Sequence, residues 1–171
     1  MELVLFGISA LLSLVSAVVV AKFLVWPWLQ HVSRNRGLGA LILPHLFLRF
    51  IGLSFLVPGV VSASLPASFA VPAAYGDLVA GILAIIAFVA LARDASRALP
   101  AVWLFNVWGA ADLLFAFFQG QRVQIDPGSL GAAFFIPTVI VPPLLVTHAL
   151  IFGVLTRSRR DQVAHDHAAA A

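Results

Sequence analysis

Residues Ala73–Ala92 read AAYGDLVAGILAIIAFVALA, a run broken by a single charge, Asp77. As a helix rising about 1.5 Å per residue, such a run crosses about 30 Å, the hydrocarbon thickness of a bilayer. Working outward, four more apolar runs meet the same requirement: Leu3–Trp26, Leu41–Val61, Pro100–Phe118 and Gly131–Leu155. The connections between them are short and leave no room for a separate soluble domain. The expected fold is all-α, one polytopic transmembrane bundle over residues 1–156 with spans at 3–26, 41–61, 73–92, 100–118 and 131–155. A basic and then Ala/His-rich tail, 157–171, is expected to be disordered. Only Glu2 precedes the first run, so with no basic n-region it reads as a retained helix and not as a cleaved signal.

Composition points the same way. The chain is 62% hydrophobic and 10% charged, with a mean hydropathy of +1.06, against about 45–50% and about 25% in soluble domains. A chain of this size folding in water would bury only about two-thirds of its surface, so the surplus apolar side chains must face lipid. That excludes a soluble globule and makes membrane lipid the first partner. The absence of cysteine excludes disulfides, thiolate metal sites and a Cys nucleophile. The net charge of +3 comes from basic residues in short connections and the tail, with no patch of interleaved basic and aromatic residues, so no nucleic-acid partner is expected.

Of the ten Lys and Arg residues, Lys22, Arg34, Arg36, Arg93, Arg97, Arg157, Arg159 and Arg160 fall on one side of the bundle. The positive-inside rule then places the N-terminus outside and the C-terminus in the cytoplasm. Within the spans, Ser9, Ser13 and Ser16 form one small-residue stripe and Gly76, Ala80 and Ala84 another, spacings that let helices approach closely in lipid. Pro137, Pro142 and Pro143 interrupt the fifth run and leave carbonyls in need of donors.

Ionisable groups inside the spans are the candidate site, because each costs at least about 2.5–3.5 kcal/mol at the bilayer centre. They are His45, Arg49, Asp77, Asp112 and His148, with Asn106 as a sixth polar group. His45 and Arg49 are one turn apart and share a face with Gly52. Depths counted from the cytoplasmic ends of the runs put Arg49 at about 12 Å, Asp112 at about 18 Å and Asp77 at about 24 Å. On that count Asp112 is the expected partner of Arg49, and Asp77 lies near the outer mouth, where it would serve the helix dipole. His45, just after Pro44, reads as a cap or headgroup contact, and Thr147 and His148 as donors to the carbonyls freed by the prolines. Trp108, Thr138 and Thr147 are candidates to line a cavity. Two aspartates against one arginine leave one charge to be balanced, which suits proton exchange; the same residues would equally serve as polar glue between helices. No metal-ligand spacing is present, so no metal and no cofactor is expected, with His45 and His148 the only candidates for ligands or for a bis-His haem. No nucleophile elbow or glycine-rich phosphate loop occurs.

Arg49-Phe50-Ile51-Gly52-Leu53-Ser54-Phe55-Leu56, then Leu65-Pro66 through Phe69-Ala70, Pro72-Ala73 and Gly76-Asp77, then Trp108-Gly109-Ala110-Ala111-Asp112-Leu113, form a pattern. It resembles one found in a family of small bacterial multi-pass integral membrane proteins with no assigned activity. The resemblance extends through Pro137 and Pro142 to His148, with Ala74 where the pattern has glycine. It implies a bacterial cytoplasmic-membrane protein and marks residues, but brings no chemistry. The residues themselves favour a module that binds or transports a small solute or proton, or an accessory subunit. The alternatives are an integral-membrane enzyme using Asp/His acid–base chemistry on a lipid-soluble substrate, and a bis-His haem protein.

Overall fold

The computed structural model describes the backbone of residues 1–169 and the side chains of residues 1–157. Of the expected tail, 157–171, the backbone is described to 169, where it continues the last helix, and 170–171 lie outside the described residues. Among those described, every regular element is a helix, with one isolated bridge between Pro58 and Val61 and no strand. Five helices are long and apolar enough to cross a membrane: α1 (Glu2–Leu29), α2 (Arg34–Leu56), α3 (Ala67–Ala92), α4 (Ala98–Arg122) and α5 (Ile136–Arg157). The last continues beyond that window, to Ala169.

The five spans are where the apolar runs place them, but their ends are not. Helix α2 starts seven residues before Leu41 and stops at Leu56, α3 starts at Ala67 and not Ala73, α4 runs on to Arg122, and α5 starts only at Ile136. A hydropathy run stops where polar residues cluster, whereas the hydrogen-bonded helix carries on through Arg34-Asn35-Arg36-Gly37, with Arg34 Nη2 donating to the Leu155 carbonyl at 3.3 Å and Asn35 Nδ2 to Asp94 Oδ1 at 2.8 Å.

Proline sets the local irregularities. Helix α1 widens to a π-turn over Ala21–Val25 ahead of Pro27, and α5 opens as a π-helix over Ile136–Ile140 ahead of Pro142 and Pro143. The Val139 carbonyl, denied its intrahelical donor by Pro143, accepts a hydrogen bond from Ser13 Oγ of α1 at 3.2 Å. Pro44 interrupts α2, which tightens into a 3-10 helix from Arg49 to Leu56.

Helix α3 lies at the centre. Its buried face is Ala70, Ala73, Ala74, Asp77, Ala80, Gly81, Ala84 and Ala87, nearly all small, so α2 and α4 pack close against it. Helix α1 is peripheral: no residue of Glu2–Val20 is buried. Two apolar layers stack along the bundle. At the end carrying Arg34, Arg93 and Arg157, here the basic end, Leu38, Ile42, Val102, Phe105, Ile151 and Leu155 form a closed core. At the other, open end, which carries Glu2 and the α2–α3 and α4–α5 connections, Phe55, Phe69, Leu113, Leu130 and Leu144 form the second. A polar layer separates the two.

Candidate binding site

Arg49 sits where α2 tightens to a 3-10 helix, and its side chain is 0% exposed. A guanidinium has five N–H donors, and here each has an acceptor. Nη1 donates to Asp77 Oδ1 on α3 (2.6 Å) and to Asp112 Oδ2 on α4 (2.9 Å). Nη2 donates to the Gly109 carbonyl of α4 (2.6 Å) and to His148 Nε2 of α5 (2.9 Å). Nε reaches His45 Nδ1, one turn earlier, at 3.5 Å, the longest of the five. One side chain thereby ties α2 to α3, α4 and α5.

The remaining bonds fix how each imidazole is used. His148 Nδ1 lies 2.7 Å from Asn106 Oδ1, which can only accept, so Nδ1 carries the hydrogen and Nε2 offers its lone pair to Arg49. Asn106 Nδ2 in turn donates to the His148 carbonyl at 3.2 Å. His45 is the opposite tautomer: Nδ1 accepts from Arg49, while Nε2 donates at 2.8 Å to Thr147 Oγ1, whose hydrogen goes to the Leu144 carbonyl.

Close approach explains the glycines beside these charges. A Cβ on Gly52 would overlap the Asp77 carboxylate, and one on Gly76 would overlap that of Asp112. At Gly109 a Cβ would come within 2.6 Å of His148 Cε1 and 2.9 Å of Arg49 Nη2. Asp77, Asp112, His148 and Arg49 thus each rest on bare backbone of a neighbouring helix.

All six polar residues therefore meet in one layer, but several expectations need correcting. Asp112 is not the preferred partner at the expense of Asp77; Arg49 binds both, and Asp77 is nearer. The depth count failed because it began α2 at Leu41. Counted from the true helix ends at Arg34, Ala92 and Ala98, Arg49, Asp77 and Asp112 all lie about 21–22 Å deep. Asp77 is well past the first turn of a helix that begins at Ala67, so it is no dipole cap. His45 is fully buried, with its ring nitrogens on Arg49 and Thr147, so it is no surface cap. Thr147 bonds a carbonyl and His45, whereas His148 serves Asn106 and Arg49 instead of a proline-freed carbonyl.

A cavity of about 510 Å³ enters from the open end between α1, α3, α4 and the connection preceding α5. Asp77 and Asp112, each with a side chain 10% exposed, form its floor; Phe6, Phe55, Phe69 and Phe117 line its walls; and Gln121, Gln124 and Asp126 lie at its mouth. Arg49 and His148 do not line it. Nor does Trp108, which is 45% exposed on the outer surface with Nε1 3.5 Å from the Gly76 carbonyl. Thr138 is buried and donates to the Phe134 carbonyl at 2.7 Å, closing a turn. Thr147 lines a different space, an apolar groove of about 450 Å³ between α1, α2 and α5.

The rings of His45 and His148 pack with centroids 4.4 Å apart at 52°. Their nitrogens are held by Thr147, Arg49 and Asn106, so a bis-His haem would have to displace all three. Among the described residues no three His, Cys, Asp or Glu side chains group as a metal site requires.

A family model described as Domain of unknown function (DUF8737) matches residues 5–156. The chain belongs to the DUF8737 family. No curated protein and no solved structure matches it. The DUF8737 match takes in all five helices up to Thr156 and every residue of the polar layer. Gly76 belongs to the small-residue stripe read from the sequence and Gly52 to the face of His45 and Arg49, whereas Gly109 and the phenylalanine walls have no role in that reading. The glycines did leave a signal, since each precedes or follows a buried charge by one or three positions: Arg49 and Gly52, Gly76 and Asp77, Gly109 and Asp112.

Proposed function

We propose that this DUF8737 chain is an integral protein of the bacterial cytoplasmic membrane, N-terminus outside and C-terminus inside, that binds and moves a small solute or proton at its Asp77/Asp112 pair. One observation carries this reading: the two carboxylates, not the arginine they share, face a cavity that reaches one end of the bundle. A pair serving only as helix glue has no need of such access. With one guanidinium for two carboxylates, full ionisation leaves one negative charge in a low-dielectric interior, and a proton or an incoming solute balances it. The proline-interrupted start of α5, which lines the same cavity at Ile136, Pro137 and Val141, is the segment able to shift when the balance changes.

The test is proton uptake into liposomes holding the purified protein and an internal pH-sensitive dye, driven by an imposed potential. Uptake above that of empty liposomes is expected for the native chain and for Arg122→Ala, and loss of it for Asp112→Asn, which keeps a hydrogen-bonding amide of nearly equal volume beside Arg49. Uptake no greater than in empty liposomes would overturn the transport reading in favour of an accessory subunit.

A further inference from the structure

We propose that the cavity takes a monovalent organic ammonium ion with an apolar, ring-sized body, its charged end at Asp77 and Asp112. The inference rests on the cavity being a binding site and names what it selects. Charge comes first. Arg49 Nη1 occupies one oxygen of each carboxylate, while Asp77 Oδ2 and Asp112 Oδ1 accept no hydrogen bond from the described residues. The guanidinium is shut off from the cavity, and no Lys, Arg or His lines the cavity anywhere. An anion entering would meet Asp126 at the mouth and two carboxylates at the floor with no cation to receive it. A cation meets complementary charge throughout.

The walls decide what kind of cation. Four phenylalanines surround the space above the carboxylates, and aromatic faces attract a positive charge and also pack an apolar body. A divalent metal ion would need about six oxygen ligands. Each floor carboxylate has one oxygen without a hydrogen bond, packed beside glycine backbone, and the next oxygen-bearing side chain of α4 that lines the cavity, Gln121, is about 13.5 Å further along the helix. Only an ion that brings its own apolar body is satisfied by carboxylates below and phenyl rings around it. The volume of about 510 Å³ lies within the range for small-molecule sites and is far more than a proton or a hydrated alkali ion needs.

The experiment is a charge series on one body, titrated calorimetrically into the detergent-solubilised full chain: 4-phenylbutylammonium, 4-phenylbutanol and 4-phenylbutyrate. Saturable one-to-one binding of the ammonium is expected, with the alcohol at least ten-fold weaker and the carboxylate without measurable binding. Ala116→Phe, which fills the cavity one turn along α4 from Asp112, should abolish ammonium binding while the protein stays monodisperse. Asp77→Asn and Asp112→Asn should each weaken it at least ten-fold. Equal affinity for ammonium and alcohol, preference for the carboxylate, or ammonium binding indifferent to Ala116→Phe would each overturn the assignment. Absence of ammonium binding alongside Asp112-dependent proton uptake would overturn it and leave the proposed function standing. Absence of both would remove the two together.

Discussion

The two halves of the bundle use similar residues to opposite ends. At the basic end, Ala84 and Ala87 of α3 pack in one core with Leu38, Ile42, Phe105 and Ile151, and the groove on that side lies away from α3, between α1, α2 and α5. At the open end, Ala70, Ala73 and Ala74 of the same helix present an equally small face, yet a cavity remains beside it. Small residues therefore do not make the cavity. Nor does the number of helices, since α2 continues past Arg49 to Leu56 and α5 reaches back from His148 to Ile136, so all five extend beyond the polar layer. What differs is what faces the small residues: the phenyl rings of Phe6, Phe55, Phe69 and Phe117 line the volume without closing it. The polar layer lies at the boundary between the closed core and the half that holds the cavity.

The sharpest way to break this comparison is to remove the group at the boundary. Arg49→Ala strands two carboxylates in the interior, and loss of one partner from a buried ion pair costs about 3–5 kcal/mol. Arg122→Ala, at the α4 terminus, should stay within about 0.5 kcal/mol. Thermal unfolding in detergent reads both, and equal midpoints would mean that the layer does not hold the halves together.

The next contrast sets the halves against each other directly. Phe105 is fully buried in the closed core, and its truncation to alanine should cost about 3 kcal/mol or more. Phe55 already borders the cavity, so it gives up fewer contacts, and Phe55→Ala should be milder by at least about 1 kcal/mol. Similar losses in a denaturant series would show that the open end is packed as tightly as the other.

Glycine substitutions sharpen the account of the layer itself. Gly76→Ala forces a methyl onto the Asp112 carboxylate and should cost about 1–3 kcal/mol. Gly7→Ala meets nothing within 4 Å and should be neutral or slightly stabilising, by up to about 1 kcal/mol. The smallest expected effect is Ser13→Ala, which removes the bond to the Val139 carbonyl; such interhelical bonds average about 0.6 kcal/mol in membranes. A loss several times larger would make α1 a structural member of the bundle and not a peripheral cover.

Much of this architecture is legible in the sequence, and the part that is not has a physical cause. The five long helices can be read because each is a long apolar run, and the six polar residues stand out because polar groups are rare inside such runs. The pairing of Arg49 with both aspartates is hidden because it depends on helix ends, and α2 hides its end behind Arg34, Asn35 and Arg36, polar residues that read as loop. The cavity is hidden as well, since it depends on how side chains from all five helices and the connection before α5 meet in three dimensions. Trp108 misleads because an indole is equally at home against lipid or in a pocket, and nothing in its neighbours distinguishes the two.

The five bonds of Arg49 also bear on kinetics. Guanidinium groups in proteins donate hydrogen bonds but do not release or relay protons. His45 and His148 lie on the far side of Arg49 from the cavity, so the layer contains no continuous wire along which a proton could hop. Traffic past it requires α3, α4 or α5 to give up bonds to one side chain together. Any flux this chain supports should then saturate with driving force and turn over on the microsecond-to-millisecond scale of helix motion, as a carrier does, with none of the unitary conductance of a channel.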